Sequence, residues 1–198
     1  MAVVHGLVGK GRIAQCGGTI ISKRWVLTAG HCVVAGYPRR FHVVFGIINK
    51  SGVGYDWLRG TGVSMIATEA FLHPRYRANV NDIALLHMPR DIPFSATIQP
   101  IKLANYNYKE KVLANRNANI IGWGKDNNTS YGTTNLKFAT LPIITNYECK
   151  RYWNITNKHI CTAPGLGRDV CQGDSGGPLI IKENGQDIQV GIAGFAAL

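Results

Sequence analysis

Apolar positions in this chain recur in short runs, many with a period of two, separated by turn residues. "RFHVVFGI" sets Phe41, Val43 and Phe45 on one face, and "GVSMIATEAF" does the same with Val63, Met65 and Ala67. Successive side chains of a strand point to opposite faces of a sheet, so this alternation predicts half-buried strands. "GTIIS", "RWVLTAG", "NDIALLHM", "NANIIGWG" and "KFATLPII" are runs of the same kind. "GGPLIIKENGQDIQVGIAGF" reads as two strands around an Asn184–Gly185 turn. One helix stands out: Thr145 and Glu148 have capping-box spacing ahead of "NYECKRY". The pattern predicts an all-β barrel or sandwich. The polar stretch "ANYNYKEK" predicts a link between two halves of similar size, 1–103 and 104–198.

Composition narrows the class. The chain has 198 residues, 45% hydrophobic and 17% charged, enough for one sizeable domain or two small ones sharing an interface. No apolar run approaches the ~18 residues of a spanning helix, so no membrane partner is expected. The opening "MAVVHGLVGKGRIAQC" does not read as a signal peptide, because His5 and Gly6 interrupt its apolar stretch and its basic residues follow that stretch. The formal charge of +11 is scattered, with "KR" at 23–24, "RR" at 39–40 and "KR" at 150–151 as the longest basic runs. A nucleic-acid arm would be denser, so no nucleic acid is expected, while a polyanion such as a sulfated polysaccharide stays open as a partner.

The five cysteines, Cys16, Cys32, Cys149, Cys161 and Cys171, include no C-x-x-C pair, which argues against a zinc ribbon. Neither a metal nor another cofactor is expected. Asn-x-Ser/Thr triplets at Asn49, Asn127 and Asn154, with an overlapping one at Asn128, join the cysteines in pointing to an oxidising, extracellular setting.

Candidate chemistry centres on "CQGDSGGPL", residues 171–179. A serine hydroxyl becomes a nucleophile when a neutral histidine takes its proton, a carboxylate orients that histidine and backbone N–H groups hold the developing oxyanion. G-x-S-x-G over 173–177 also fits the nucleophile elbow of α/β-hydrolases, but that order needs a histidine after the serine and the last histidine here is His159. The subtilisin order needs an aspartate before the histidine, and the first aspartate, Asp56, follows His31 of "TAGHC". His31, Asp82 of "NDIALL" and Ser175 satisfy the remaining order. Taken alone, Asp82 reads equally well as a turn cap and Ser175 as a turn serine; their joint order carries the inference.

With "CGGTIIS", "WVLTAGHC", "NDIALL", "GWG" and "CQGDSGGP" in sequence, the chain resembles the trypsin/chymotrypsin-like serine proteases over nearly its whole length. The resemblance implies two packed six-stranded antiparallel β-barrels, the second incomplete, with the site between them. It implies His31 as general base, Asp82 as its orienter, Ser175 as nucleophile and the amides of Gly173 and Ser175 as oxyanion hole. It pairs Cys16 with Cys32 and Cys149 with Cys161, and places a partner for Cys171 beyond residue 198. Asp169, six positions before Ser175, would form the base of the specificity pocket and favour Arg or Lys, with Gly194, Phe195 and Ala196 on the pocket wall. Gly194 lacks a hydroxyl that would help fix Asp82, and Ala196 would narrow the entrance. The stretch matching a calcium loop, "NKSGVGYDWLRGTG", holds only Asp56 and no glutamate, so no calcium is expected.

The implied partners are protein or peptide substrates, protease inhibitors and polyanions, and the implied state is a monomer. The family's N-terminal Ile-Val-Gly-Gly is missing, which predicts a fragment whose Asp174 lacks a partner, swings to water and disorders the oxyanion loop. A non-catalytic protease-like binding protein is the competing reading, and a cytosolic metal-binding module a distant third.

Overall fold

Each of those runs becomes a strand in the computed structural model, which describes residues 1–8, 12–34, 40–51, 62–109, 111–126, 132–165 and 169–195. The first sheet takes β1 (Ala2–Leu7), β2 (Ile13–Ser22), β3 (Trp25–Thr28), β4 (Phe41–Phe45), β5 (Val63–Ile66), β6 (Glu69–Leu72) and β7 (Ala84–His87), in the order β5-β4-β1-β2-β3-β7-β6. A short helix, α1 (Gly30–Val34), follows β3.

β5 and β6 come from the single run "GVSMIATEAF", which bends at Ala67 and Thr68. The Ala67 amide donates to Phe41 O and the Thr68 amide to His87 O, both at 2.9 Å. The two ends of the strand order therefore meet in one bent segment, and the sheet closes on itself. Counting that segment once gives the six strands expected, and closure removes the unpaired edges.

The second sheet takes β8 (Lys102–Leu103), β9 (Asn117–Gly122), β10 (Lys137–Ile144), β11 (Cys161–Thr162), β12 (Pro178–Glu183) and β13 (Gln186–Ile192), in the order β11-β10-β9-β12-β13-β8. Its pairs are antiparallel except β13 with the two-residue β8. The β12–β13 hairpin turns at Asn184 and Gly185, both with positive φ (50° and 76°), as the dipeptide predicts. Helix α2 (Asn146–Cys149) starts on the expected capping box: Thr145 Oγ1 accepts the Glu148 amide and Glu148 Oε2 accepts the Thr145 amide.

Each half has its own core. Phe41, Phe45, Ile20, Val26, Leu86 and Met88 fill the first barrel, and Leu141, Ile143, Ile181 and Ala118 form the core against the second sheet. Trp123, just after β9, packs on Val3, Val44 and Ile47 of the first half, and its indole N–H donates to Ile48 O at 2.8 Å. This buried side chain ties the two halves together.

β1 carries a buried polar row. His5 sits opposite Gln15 of β2 and His42 of β4. Burial first, then the charges of His42 and Lys50, lower the His5 pKa to about 4, with a Gln15 hydrogen bond opposing. The unfolded chain binds that proton near pH 6.5, so it holds more protons than the folded one between pH 6.5 and 4. The stability contributed by neutral His5 is thus present above pH 6.5 and lost as pH falls toward 4, on the order of 3 kcal/mol. Urea unfolding of His5→Gln should show a shallower fall between pH 7 and 4.5 than the unmodified protein. Superimposable pH profiles would refute this.

Candidate active site

The buried run of β3 delivers His31 into α1, and the Cys16–Cys32 disulfide ties the helix to β2. Asp82 arrives from the neighbouring strand, just ahead of β7, whose Ala84 pairs with Thr28 of β3, through a tight turn in which Asn79 and Asn81 hold positive φ (62° and 52°), a conformation asparagine tolerates. The carboxylate grips the histidine twice: Oδ1 accepts the His31 amide at 2.8 Å and Oδ2 faces Nδ1 at 2.7 Å. With Nδ1–H committed to Asp82, the neutral ring keeps Nε2 as a proton acceptor. Asp82 is largely buried while the His31 ring is partly exposed, as a base facing a cleft must be.

Ser175 lies on a turn whose backbone is fixed at several points. Its carbonyl accepts the Gly17 amide at 2.7 Å, the Gly176 amide donates to Ala193 O, and the Ala193 amide returns to Gly177 O. Gly176 has φ +83°, and a Cβ there would stand 2.3 Å from Thr28 Oγ1 and 2.5 Å from Gly17 O. Gly176→Ala should therefore destabilise by about 2–5 kcal/mol, combining left-handed strain with overpacking against backbone. Denaturant unfolding checks this, and an unchanged midpoint would count against it.

The Gly173 and Ser175 amides have no protein acceptor among the described residues. Cys32 Sγ lies 3.8 Å from His31 Nε2 and 3.7 Å from Ser175 O, so one disulfide sulfur touches both the histidine ring and the serine backbone. Among the described residues, Ser175 Oγ makes no hydrogen bond to His31.

Asp174 departs from expectation. It stays turned inward, its Oδ1 accepting the Gly124 amide at 2.7 Å and its Oδ2 the Cys171 amide at 2.9 Å. Burial raises its pKa, and these two amides and the positive charge of Lys50 work against that rise. Two backbone amides solvate the carboxylate. Gly122 and Gly124 make room for it, since a Cβ on either would fall within 2.4 Å of a carboxylate oxygen.

A cavity of about 510 Å³ opens beside this centre and includes Asp82, Asp169, Gly194 and Phe195 in its lining. Asp169 as a whole is exposed, yet enough of the cavity wall covers its carboxyl that desolvation pushes its pKa up; Oδ1 accepts the Val170 amide at 2.7 Å. A Cβ on Gly194 would lie 3.4 Å from Asp82 Oδ2, so this glycine does abut the carboxylate. Ala196 lies outside the described residues, as do Asn127, Asn128 and Asp56.

Phe195 meets two residues that the sequence had not marked, Trp153 and His159, edge-on at 5.5 and 5.7 Å. His159 donates Nε2–H to Asn79 O at 2.5 Å, and Lys158 Nζ donates to Asn81 Oδ1 at 2.8 Å, bracing the turn that carries Asp82. Their only sequence signal was their place beside the disulfide Cys149–Cys161, which forms as expected. Cys171 is not in a disulfide. Cys16, His31 and Cys32 converge, but both sulfurs are spent in their own bond, leaving a metal one imidazole.

Two packed β-units, with a His–Asp pair and a serine-bearing glycine-rich turn at their junction, have the chymotrypsin fold. The chain belongs to the trypsin family, whose model matches residues 4–197. It is 35% identical to "Chymotrypsin-2" of Vespa crabro over 91% of this chain and 77% of that protein. It is 31% identical to "Coagulation factor IX" of Cavia porcellus over 90% of this chain and 63% of that protein. A solved HL collagenase superimposes with a TM-score of 0.83 at 26% identity, covering 99% of this chain and 80% of that one.

Proposed function

We propose that the chain is the catalytic unit of a secreted serine endopeptidase that cleaves after Arg or Lys, with His31 and Asp82 from 1–103 and Ser175 from 104–198. The observation that carries this is the doubly hydrogen-bonded His31–Asp82 pair. In the reaction, His31 Nε2 takes the Ser175 proton as Oγ bonds to the scissile carbonyl carbon. The carbonyl oxygen, now negative, receives the amides of Gly173 and Ser175, and Asp82 stabilises the imidazolium. His31 then protonates the leaving amine as the C–N bond breaks. Water attacks the acyl ester with His31 again as base, releasing the acid and restoring Ser175.

Asp169 in the cavity supports a cationic side chain before the cleaved bond, since a carboxylate there gives an Arg or Lys a charge-assisted partner. Phe195 and Trp153 would form the apolar wall beside it. The two disulfides fit an oxidising extracellular setting, and among the described residues no helix is long and apolar enough to cross a membrane. Substrates are proteins or peptides acted on by a monomer, with protease inhibitors and polyanions as further partners.

A labelled fluorophosphonate, followed by peptide mapping, tests the reading on the full-length protein. Modification of Ser175 is expected; no modification of a folded sample would leave a protease-like binding protein instead.

A further inference from the structure

The peptide group joining Trp123 to Gly124 is held from both sides by opposite charges. Its N–H donates to Asp174 Oδ1 at 2.7 Å. Its carbonyl oxygen accepts from Lys50 Nζ at 3.4 Å and from Gln15 Nε2 at 3.4 Å. Lys50 Nζ is oriented in turn by Gln15 Oε1 at 2.5 Å, and Gln15 Nε2 also reaches Gly173 O at 3.5 Å. One side-chain pair from the first half thus touches both the peptide that anchors Asp174 and the residue two before Ser175.

An ammonium on a carbonyl oxygen draws electron density toward it and makes the N–H of the same peptide a better donor, and hydrogen bonds in series strengthen one another. From this geometry we infer that Lys50 and Gln15 are positioning residues for the nucleophile loop: they polarise the Trp123–Gly124 peptide so that it holds Asp174 inward, and Gln15 steadies Gly173. Lys50 touches no reacting atom. It acts through a peptide and a carboxylate on the amides at Gly173 and Ser175, so the catalytic part of this inference rests on the oxyanion role proposed above.

The electrostatics agree with the contacts. The Asp174 charge favours protonated Lys50 against its desolvation, and Lys50 in turn favours ionised Asp174. Steric room agrees too. A Cβ on Gly173 would sit 3.0 Å from Gln15 Nε2, and one on Gly132 3.4 Å from Lys50 Nζ. The loop 46–51 bearing Lys50 lies far along the chain from the turn around Ser175, and this relay links the two through the Trp123–Gly124 peptide.

The test compares the full-length protein with Lys50→Met, Lys50→Arg and Gln15→Leu. Amide hydrogen exchange is read over 171–177 and at Gly124, together with kcat and KM. Lys50→Met should speed exchange at Gly124 and across 171–177. It should lower kcat about 10-fold with KM little changed, short of the ~10²–10³ lost when an oxyanion donor is removed outright. Lys50→Arg keeps the charge and should restore both. If Lys50→Met does not fold, Gln15→Leu reads the same relay and should speed exchange at the same amides. Unchanged exchange over 171–177 in a folded Lys50→Met or Gln15→Leu would overturn the inference, as would loss in Lys50→Arg equal to that in Lys50→Met. Exchange is readable without turnover, so an unreactive Ser175 would sink the proposed function and leave this test standing.

Discussion

Ser175→Ala in the full-length protein should abolish fluorophosphonate labelling and lower kcat by about 10⁶-fold, and His31→Ala should cost about as much. The two losses should not add, because nucleophile and base serve one proton transfer: without His31 the hydroxyl is not activated, and without Ser175 the base has no proton to take. Asp82→Asn should lose less, roughly 10⁴-fold. With its oxygen accepting the His31 amide, asparagine would turn its NH2 to Nδ1, which favours the tautomer protonated on Nε2, and being neutral it would not stabilise the imidazolium as the Asp82 carboxylate at 2.7 Å does. What remains in the two alanine variants should be the contribution of the Gly173 and Ser175 amides and of substrate binding. Steady-state kinetics of the three single variants and the Ser175/His31 double variant check this. More than a few per cent of activity in either single alanine variant would remove the residue from the mechanism.

What the sequence made visible was local or ordered along the chain. The Asn184–Gly185 turn and the Thr145 capping box are fixed by neighbours within three residues, so their chemistry can be read directly. The His–Asp–Ser order was equally plain, because each residue sits in its own motif. The bend at Ala67 and Thr68 was not, since what selects it is hydrogen bonding to Phe41 and His87 on two different strands. The inward Asp174 was missed for the same reason. Its anchor, Gly124, is 50 residues away, and nothing in "GWG" says that its amide will turn toward a carboxylate. Gln15 and Lys50 had no visible signal at all. One is a polar residue in a strand and the other a lysine among 22 basic residues, and only folding puts both on the Trp123 carbonyl. Trp153 and His159 meet Phe195, and His159 also the Asn79 carbonyl, only through folding.

Asp169→Ser should reverse the preference of the protease. Asp169 joins Asp82 as the carboxylates among the described residues that line the cavity, and desolvation by the cavity wall raises its pKa with one backbone amide in opposition. A carboxylate in that state gains most from a cation that enters with its own water removed. An arginine or lysine before the scissile bond supplies one, and the guanidinium can also bond both carboxylate oxygens. Truncating one partner of such a pair costs about 2–5 kcal/mol, which corresponds to roughly 30- to 5,000-fold in kcat/KM for Arg substrates. Aromatic substrates, which gain nothing from the charge, should be cleaved as well or better by the variant, since Phe195 and Trp153 offer them an apolar wall. The sign of the pH dependence follows from the same carboxylate. It must be ionised to hold Arg, so activity on Arg substrates should fall as pH drops through its raised pKa, at higher pH than an ordinary aspartate would give, while Phe substrates should lack that limb. Peptide-library profiling and kcat/KM against pH for matched Arg and Phe substrates measure both effects. A profile of the unmodified protein dominated by aromatic residues, in line with its relatives named as chymotrypsins, would assign the cavity to apolar side chains and leave Asp169 without this role.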